Sequence, residues 1–195
     1  MAAPKKPVPE SIRQFFNSFG GLSDKAWEAF AAHLEKKVYQ KRDLVLREGE
    51  VCEFIAFAVE GIFRFYYLDE GDEKVTAFFF PGDFVSNYRS FLTGQPSDHH
   101  IEAMKEGVIF KINKAELSAL YEQYPEIDRV GRLVAEHLYL TVAKRLDAFM
   151  FESPEDRYQE LQSRNSKLLQ EVPQYMLASY LGVKPETLSR IRSRK

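Results

Sequence analysis

The chain has 195 residues, and its 45% hydrophobic and 14% aromatic content is sufficient for a buried core and excludes a disordered chain. It has one cysteine, no visible signal peptide and no apolar run of about 18 residues, so we expect a cytoplasmic protein without a disulfide or a membrane segment. The net charge of -2 is unevenly distributed: residues 157–195 carry eight Lys or Arg against three Glu, a net of +5, which leaves -7 on the first 156. This split predicts a basic end that contacts a polyanion.

The first half of the chain changes from a helical pattern to a strand pattern. Residues 10–37 have apolar residues at helical spacing, interrupted at Gly20-Gly21, with Ser23 as a candidate N-cap. From Val38 to Ile112 the apolar period is two, and turns rich in glycine separate short apolar runs at 44–46, 54–59, 62–68, 75–80 and 108–112. Short strands at this regular spacing predict an antiparallel barrel or sandwich rather than a βαβ fold.

The helical pattern returns after the strands. Asn113 is a candidate N-cap for a helix over 114–124, and a helix of about six or seven turns follows over 126–151. Its apolar stripe consists of Val130, Val134, Leu138, Thr141 or Val142, Arg145 or Leu146, and Phe149. We expect this stripe to form a parallel coiled-coil dimer; the alternative is packing across the chain's own barrel. Ser153-Pro154 then begins a new helix at a natural domain boundary.

Residues 172–194 have the pattern of a helix-turn-helix. A first helix has an apolar inner face with a small residue for a close crossing: Met176, Leu177, Ala178, and Tyr180 or Leu181. Gly182 suits a turn residue with positive φ, and Lys184-Pro185 begins a second helix with Leu188 and Ile191 on its inner face. The remaining positions of the second helix are polar and predict a surface that reads base edges, because arginine bonds guanine and glutamate accepts from cytosine.

Motifs along nearly the whole chain fall in the order of one known family. They are Gly49-Glu50, Gly61, Pro81-Gly82-Asp83-Phe84, the long helix, and Leu181-Gly182-Val183 followed by Glu186-Thr187-Leu188-Ser189-Arg190. The sequence therefore resembles the Crp/Fnr family of transcription regulators, of the cyclic-AMP receptor protein type. The resemblance implies an α+β fold with an N-terminal antiparallel β-roll of the cyclic-nucleotide-binding, jelly-roll type and flanking helices, a long dimerisation helix, and a C-terminal winged helix-turn-helix. We expect these parts over 1–125, 126–152 and 153–195.

The resemblance also implies a function. We expect a DNA-binding transcription regulator, not an enzyme, that acts as a homodimer on a pseudo-palindrome and is controlled by an effector through the β-roll. Double-stranded DNA and RNA polymerase are the expected partners. The alternative is a regulatory module of the cyclic-nucleotide-binding type that acts through a protein partner without binding DNA.

The family's base-reading positions correspond to Glu186 and Arg190 of this chain. Pro185 departs from the polar residue that many members have at the first reading position, so the preferred DNA site should differ. The segment 167–173 before the motif is short, which predicts a wing reduced to a stub. The DNA-binding residues that we expect are Gln174, Lys184, Glu186, Thr187, Ser189, Arg190, Arg192 and Arg194.

The cyclic nucleotide site of the family is matched poorly. The family holds the phosphate with a Gly-Glu pair and an Arg-Ser pair, where this chain has Gly82-Asp83 and Gln95-Pro96-Ser97-Asp98. An aspartate beside a phosphate is repulsive, so we expect a divergent member that does not bind cyclic AMP. The alternatives left are no effector, or a small apolar or weakly polar effector in a pocket formed by Phe78, Phe80, Asp83, Tyr88, Arg89, Phe91 and Ser97.

No metal, cofactor or catalytic residue is expected. Cys52 alone cannot hold an iron–sulfur cluster. His33, His99 and His100 are candidate haem ligands, but each is more often a surface histidine. His99 and His100 are also adjacent, so on a strand they point to opposite faces and do not form a cupin-type metal site.

Overall fold

The computed structural model of the protein describes residues 8–164 and 166–193. Two short helices come first, α1 (Glu10–Asn17) and α2 (Asp24–His33). Ser23 caps α2 as predicted, because its hydroxyl accepts a hydrogen bond from the amide of Ala26 at 3.3 Å. The predicted helical segment was too long at its end: residues 35–39 form a strand, since pairing with a later strand outweighs their local helical spacing.

Eight strands follow, and they form two four-stranded sheets. The strands are β1 (Glu35–Tyr39), β2 (Leu44–Leu46), β3 (Phe54–Glu60), β4 (Phe63–Asp69), β5 (Asp72–Phe79), β6 (Phe84–Val85), β7 (His100–Ala103) and β8 (Gly107–Asn113). The strand orders are β1-β8-β3-β6 and β2-β7-β4-β5, and the pairs β1–β8, β3–β8, β3–β6 and β2–β7 are antiparallel. The antiparallel β-roll predicted from the sequence is therefore confirmed.

The core of the roll lies around β3 and β8. Ile55 pairs with Ile112 and Phe57 with Phe110, and all four side chains are buried. Residues of β3 between them are buried as well, so this strand is covered on both faces. Such a strand appears in a sequence as a continuous apolar run rather than an alternating one.

Seven helices complete the described chain after β6. They are α3 (Tyr88–Thr93), α4 (Lys114–Gln123), α5 (Pro125–Phe151), α6 (Pro154–Arg164), α7 (Ser166–Glu171), α8 (Gln174–Leu181) and α9 (Pro185–Ser193). The predicted cap of α4 is confirmed, because Asn113 accepts a hydrogen bond from the amide of Glu116 at 2.8 Å. None of residues 152–164 and 166–193 lies in a strand, and the segment expected to hold a reduced wing forms α7 instead. Leu168 and Val172, four residues apart, are both buried, which favours helical packing there.

The chain divides into two compact units. Unit 1 contains the residues up to Phe65 together with Phe78–Glu136, and unit 2 contains Tyr66–Ala77 together with the residues from His137 onward. The long helix α5 therefore contributes its first part to unit 1 and its second part to unit 2. Among the described residues, no helix is long and apolar enough to cross a membrane.

Candidate functional site

Helices α8 and α9 form a helix-turn-helix in unit 2. Their contact buries the apolar residues named from the sequence, Met176, Leu177, Ala178, Leu181, Leu188 and Ile191. The turn depends on Gly182, which has φ 70° and ψ 34°, in the left-handed region. The amide of Val183 donates to the carbonyl of Ala178 at 2.9 Å, so the end of α8 is closed by a bond across this glycine.

The outer face of α9 is polar and exposed. At about 100° per residue, Glu186, Ser189, Arg190 and Ser193 lie on the side opposite the buried Leu188 and Ile191. The Arg190 guanidinium donates to the hydroxyl of Thr187 at 3.3 Å, so this half-buried threonine supports the arginine from within the helix. The structure thus brings Glu186, Thr187, Ser189 and Arg190 together as predicted residues of one surface. Ser193 lies on the same surface, seven residues and two helical turns after Glu186.

The other residues expected to contact DNA lie around this face. Gln174 is the first residue of α8, and Lys184 immediately precedes α9; both are exposed. Arg192 is exposed at the side of the α9 surface rather than at its centre. Arg194 lies outside the described residues.

The second half of α5 exposes an apolar seam. Tyr139, Val142, Leu146 and Phe149 follow one another at spacings of three, four and three residues, and their exposed fractions are 73%, 67%, 59% and 41%. This is the heptad spacing of a coiled coil. In the first half of the helix, by contrast, the predicted stripe residues Val130 and Val134 are buried within unit 1. The first half of the helix therefore packs on its own unit, and the exposed second half has the pattern on which the predicted coiled-coil dimer depends.

Two of the seven residues predicted to form an effector pocket line the aromatic cavity of unit 1. Tyr88 and Phe91 of α3 stack at 5.8 Å and line a narrow aromatic cavity in unit 1, which also contacts Phe57 and Tyr121. Burial raises the pKa of both tyrosines, so their hydroxyls stay neutral. The other five predicted residues, Phe78, Phe80, Asp83, Arg89 and Ser97, do not line this cavity.

Ser97 belongs instead to a buried polar network around α3. Its hydroxyl accepts a hydrogen bond from the Asn87 side-chain amide at 2.7 Å and donates to the carbonyl of His99 at 2.6 Å. Asn87 also caps α3 by accepting from the amide of Ser90 at 3.2 Å. The Ser90 hydroxyl accepts from the amide of Cys52 at 2.9 Å and donates to the carbonyl of Gln95 at 2.6 Å. The network therefore binds α3 to the segment that precedes β7.

A charged cluster lies beside this network. The Asp98 carboxylate forms an ion pair with Arg89 and a hydrogen bond of 2.8 Å with Nδ1 of His99. Although partial burial raises the pKa of Asp98, the bonds from His99 and Arg89 lower it to about 2. The His99 ring also stacks on Phe65, with 4.2 Å between centroids and 17° between planes. Arg89 is thus paired with the Asp98 carboxylate, and the His99 imidazole is stacked on the Phe65 ring.

Comparisons with known proteins agree with this architecture. The domain family described as "Cyclic nucleotide-binding domain" matches residues 36–124. Over 77 residues, the chain is 34% identical to the Pycsar effector protein XpPycTIR of Xanthomonas perforans; the match covers 37% of this chain and 25% of that protein. The chain therefore spans about a quarter of the length of this curated relative.

Solved structures share the fold over most of the chain. FixK2 from Bradyrhizobium japonicum matches with a TM-score of 0.68 and 20% identity, covering 83% of each chain. A protein from Eubacterium rectale described as a transcriptional regulator of the crp/fnr family matches with a TM-score of 0.69 and 16% identity, covering 93% of this chain and 87% of that one. The resemblance predicted from the sequence is thus confirmed at the level of the fold: residues 36–124 match the cyclic nucleotide-binding domain family, and the chain has the fold of the solved Crp/Fnr transcription regulators.

The domain family implies a cyclic nucleotide, but the residues present do not fit its phosphate. The residues that precede α3 are Ser86 and Asn87, whereas Gly82-Asp83, taken from the sequence as the counterpart of the Gly-Glu pair, lie in the turn between β5 and β6. There the Asp83 carboxylate accepts from the amide of Phe80 at 2.7 Å. After α3, Ser97 already bonds Asn87, and the next residue is an ionised aspartate that is paired with Arg89. A phosphate here would be repelled by the Asp98 carboxylate, and the cation beside it is already engaged in an ion pair.

No metal site compensates for this. Within residues 8–164 and 166–193, no three His, Cys, Asp or Glu side chains lie close enough together to hold a metal ion. His99 and His100 have separate partners: Asp98 for the first, and Glu48 for the second at 3.5 Å.

Proposed function

We propose that the protein is a DNA-binding transcription regulator of the Crp/Fnr type that acts as a homodimer on a pseudo-palindromic site. The observation that carries this proposal is the outer face of α9, where Glu186, Ser189 and Arg190 are exposed together above a buried apolar side. These are side chains that can recognise base edges in a major groove. The basic charge of the segment 157–195 adds attraction to the phosphates.

The dimer would form through the seam of α5. Tyr139, Val142 and Leu146 are large apolar residues more than half exposed in a single chain, and a surface of this kind is stable in water when a second copy covers it. Two-fold symmetry then directs two α9 helices to successive major grooves, with half-site centres about 10 bp apart. Contact with RNA polymerase would follow from binding at such a site.

Effector control through the β-roll is the third part of the proposal. The buried network of Asn87, Ser90 and Ser97 and the ionised Asp98 argue against a cyclic nucleotide phosphate as the signal. An effector of this protein would therefore be a molecule whose binding does not depend on a phosphate cradle.

The DNA-binding part is tested by selecting sites from a random double-stranded DNA library with the full-length protein. The selected sequence should be a pseudo-palindrome, and Arg190→Ala should lower affinity for it by about 5- to 150-fold, since a bidentate arginine–guanine contact contributes about 1–3 kcal/mol. The matched control is Arg132→Ala, which removes an exposed arginine paired with Glu136 in unit 1 and should leave affinity within about twofold. Failure to enrich any sequence, even at low salt where phosphate contacts are strongest, would overturn the proposal.

The dimer is tested separately by light scattering during size-exclusion chromatography. Leu146→Asp should convert the dimer to a monomer, because a charge on the seam would be buried without a partner. Leu92→Asp is the matched control, since Leu92 is exposed to the same 59% but lies on α3 away from the seam. A wild-type monomer, or a Leu146→Asp variant that remains dimeric, would contradict the proposal that the dimer forms through this seam.

A second candidate function has one observation in its favour. The match to a Pycsar effector protein, 34% identical over 77 residues, supports a role that does not involve DNA. In this alternative the chain is a regulatory module that acts through a protein partner and binds no DNA. The same library selection separates the two, because this candidate predicts no enriched DNA sequence.

A further inference from the structure

The junction between α5 and the helix-turn-helix contains an unusual set of bonds from Arg157. Its Nε and Nη2 donate to the carbonyl of Leu181 at 3.3 and 3.1 Å. Its Nη1 donates to the carbonyl of Glu152 at 2.7 Å and to that of Ala148 at 3.5 Å. Leu181 ends α8, Ala148 lies in the last turn of α5 and Glu152 follows that helix, so one guanidinium bonds carbonyls at two helix C-termini.

Arg145, on the preceding turns of α5, makes a second connection to α8. Its guanidinium lies 3.9 Å above the ring of Tyr180 and donates to the carbonyl of the same residue at 3.0 Å. Burial lowers the pKa of Arg145, and the interactions with Tyr180 oppose that effect; arginine keeps its charge in either case. A charged group that is half-buried in this way is held by directional bonds rather than by a solvated ion pair.

Phe149 lies between the two arginines and reaches the turn itself. The guanidinium carbons of Arg145 and Arg157 are 5.4 and 4.9 Å from the centre of its ring. On the other side, a Cβ at Gly182 would lie 2.6 Å from Cε1 of this ring, so the ring packs directly on the glycine of the helix-turn-helix. The turn glycine is therefore required twice, for its positive φ and for this contact.

We propose that Arg145, Phe149 and Arg157 are positioning residues that fix the helix-turn-helix to the end of the dimerisation helix. We name the three residues the α5 clamp. The inference rests on the proposed function: in a dimer joined along α5, the clamp sets the separation of the two α9 helices. It thereby sets the half-site spacing that the protein accepts, although none of the three residues reads a base.

Site spacing is the property that distinguishes positioning from DNA contact. A rigid clamp allows both α9 helices to bind only when the half-sites have the matching separation and helical phase, since one base pair rotates the groove by about 34°. A loosened clamp lets each α9 reach its half-site over a range of separations. Loss of the clamp therefore changes the dependence of affinity on spacing more than the recognition of a single half-site.

The experiment measures binding of the full-length dimer to the selected site, to the same site with one base pair added or removed between the half-sites, and to a single half-site. For wild type, changing the spacing should reduce affinity at least about tenfold. For Arg145→Ala and Arg157→Ala the reduction should fall below about threefold, with single half-site affinity within about threefold of wild type. The matched control is Lys144→Ala, which removes an exposed cation of α5 paired with Glu160 of α6 at 3.5 Å; it should discriminate spacing as wild type does.

Folding is controlled by a conservative variant and a direct distance measurement. Arg157→Lys keeps the charge but cannot bond several carbonyls at once, so it should also relax the spacing dependence. Pulsed electron paramagnetic resonance between spin labels at Ser189→Cys of each protomer, with Cys52→Ser, should give a broader distance distribution in Arg157→Ala than in the otherwise identical protein. Unchanged spacing discrimination and an unchanged distribution in these variants would overturn the clamp, whereas a wild-type protein that binds no DNA would overturn the proposed function instead.

Discussion

The polar side chains of the β-roll and those of α9 are arranged in opposite ways. Around α3, Asn87, Ser90 and Ser97 are buried and bond one another or the backbone between them. On α9, Glu186 and Ser189 are exposed and point away from the apolar side of the helix. A complete internal network has no hydrogen-bonding capacity left for a ligand, whereas an exposed polar face has all of it available. The polar groups around α3 are thus engaged in internal bonds, whereas those of α9 stay accessible from outside.

The largest change in stability should come from a substitution where Gly61 and Gly107 of the β-roll approach each other. Gly61 has φ +89°, and a Cβ there would lie 2.5 Å from Cα of Gly107 and 2.9 Å from the carbonyl oxygen of Glu106. Because these are backbone atoms that cannot move aside, Gly61→Ala should lower the free energy of unfolding by about 3 kcal/mol or more. Gly49→Ala is the control: φ is +87° but no atom lies within 4 Å, so the cost should be about 1 kcal/mol. Equal losses in urea denaturation would refute the close approach.

A smaller effect is expected from opening the buried network. Asn87→Ala removes the partner of Ser97 and the cap of α3, and the groups left without partners should cost about 2 kcal/mol of unfolding free energy. Thr93→Ala removes exposed hydrogen bonds at the other end of α3 and should cost less than about 0.5 kcal/mol. If Asn87→Ala were as stable as wild type, the bonds of Asn87 would not hold the network together. The polar groups around α3 would then be available to a ligand, as those of α9 are.

Cyclic nucleotides themselves test the same contrast. A ligand at a hundred times its dissociation constant would stabilise the protein by about 2.7 kcal/mol, which a thermal melt detects. We expect cyclic AMP and cyclic GMP at millimolar concentration to move the melting temperature by less than about 1 °C, as 5′-AMP should. A shift specific to a cyclic nucleotide would show that Arg89 leaves Asp98 to bind a phosphate.

Much of the fold could be predicted because local signals and tertiary packing agree in it. Ser23 and Asn113 cap their helices in the structure, and each apolar run named from the sequence lies largely within a strand. The helix-turn-helix was equally readable, because Gly182 and the small Ala178 occupy positions that the geometry restricts to few residue types. Residues 35–37 were misassigned to a helix, since their pairing with β8 is a long-range contact that local periodicity does not contain.

The polar network around α3 was predicted less well than the fold. Asn87 was not named, because an asparagine before a short helix has no sequence signal beyond a possible cap. Its bond to Ser97, ten residues later, depends on the conformation of the intervening loop. The α5 clamp depends on contacts over 24 to 35 residues, from Arg157 to Leu181 and from Arg145 to Tyr180. On α5 the sequence left Arg145 or Leu146 open, and the structure separates them: Leu146 is exposed on the seam and Arg145 bonds α8.

The smallest expected effect is a titration at the edge of the closed site. The pKa of Asp98 in the folded protein is about 2, below the ordinary value of 3.8, because its bonds from His99 and Arg89 outweigh its partial burial. A carboxylate with a lowered pKa contributes stability above pH 3.8, and that contribution is lost as the pH falls through 3.8 toward 2. In an NMR titration the Asp98 carboxyl carbon should therefore have a midpoint near 2.

Arg89→Ala should raise the Asp98 midpoint toward 3.8, because one of the two bonds that favour the ionised form is removed. Lys37→Ala, which removes an exposed cation paired with Glu35, should leave it unchanged. The two variants together separate a specific bond from the general loss of one positive charge. A wild-type midpoint at 3.8 would mean that Asp98 and Arg89 are solvated independently. Arg89 would then be available to an anionic ligand. The polar groups around α3 would no longer differ from those of α9 in their accessibility.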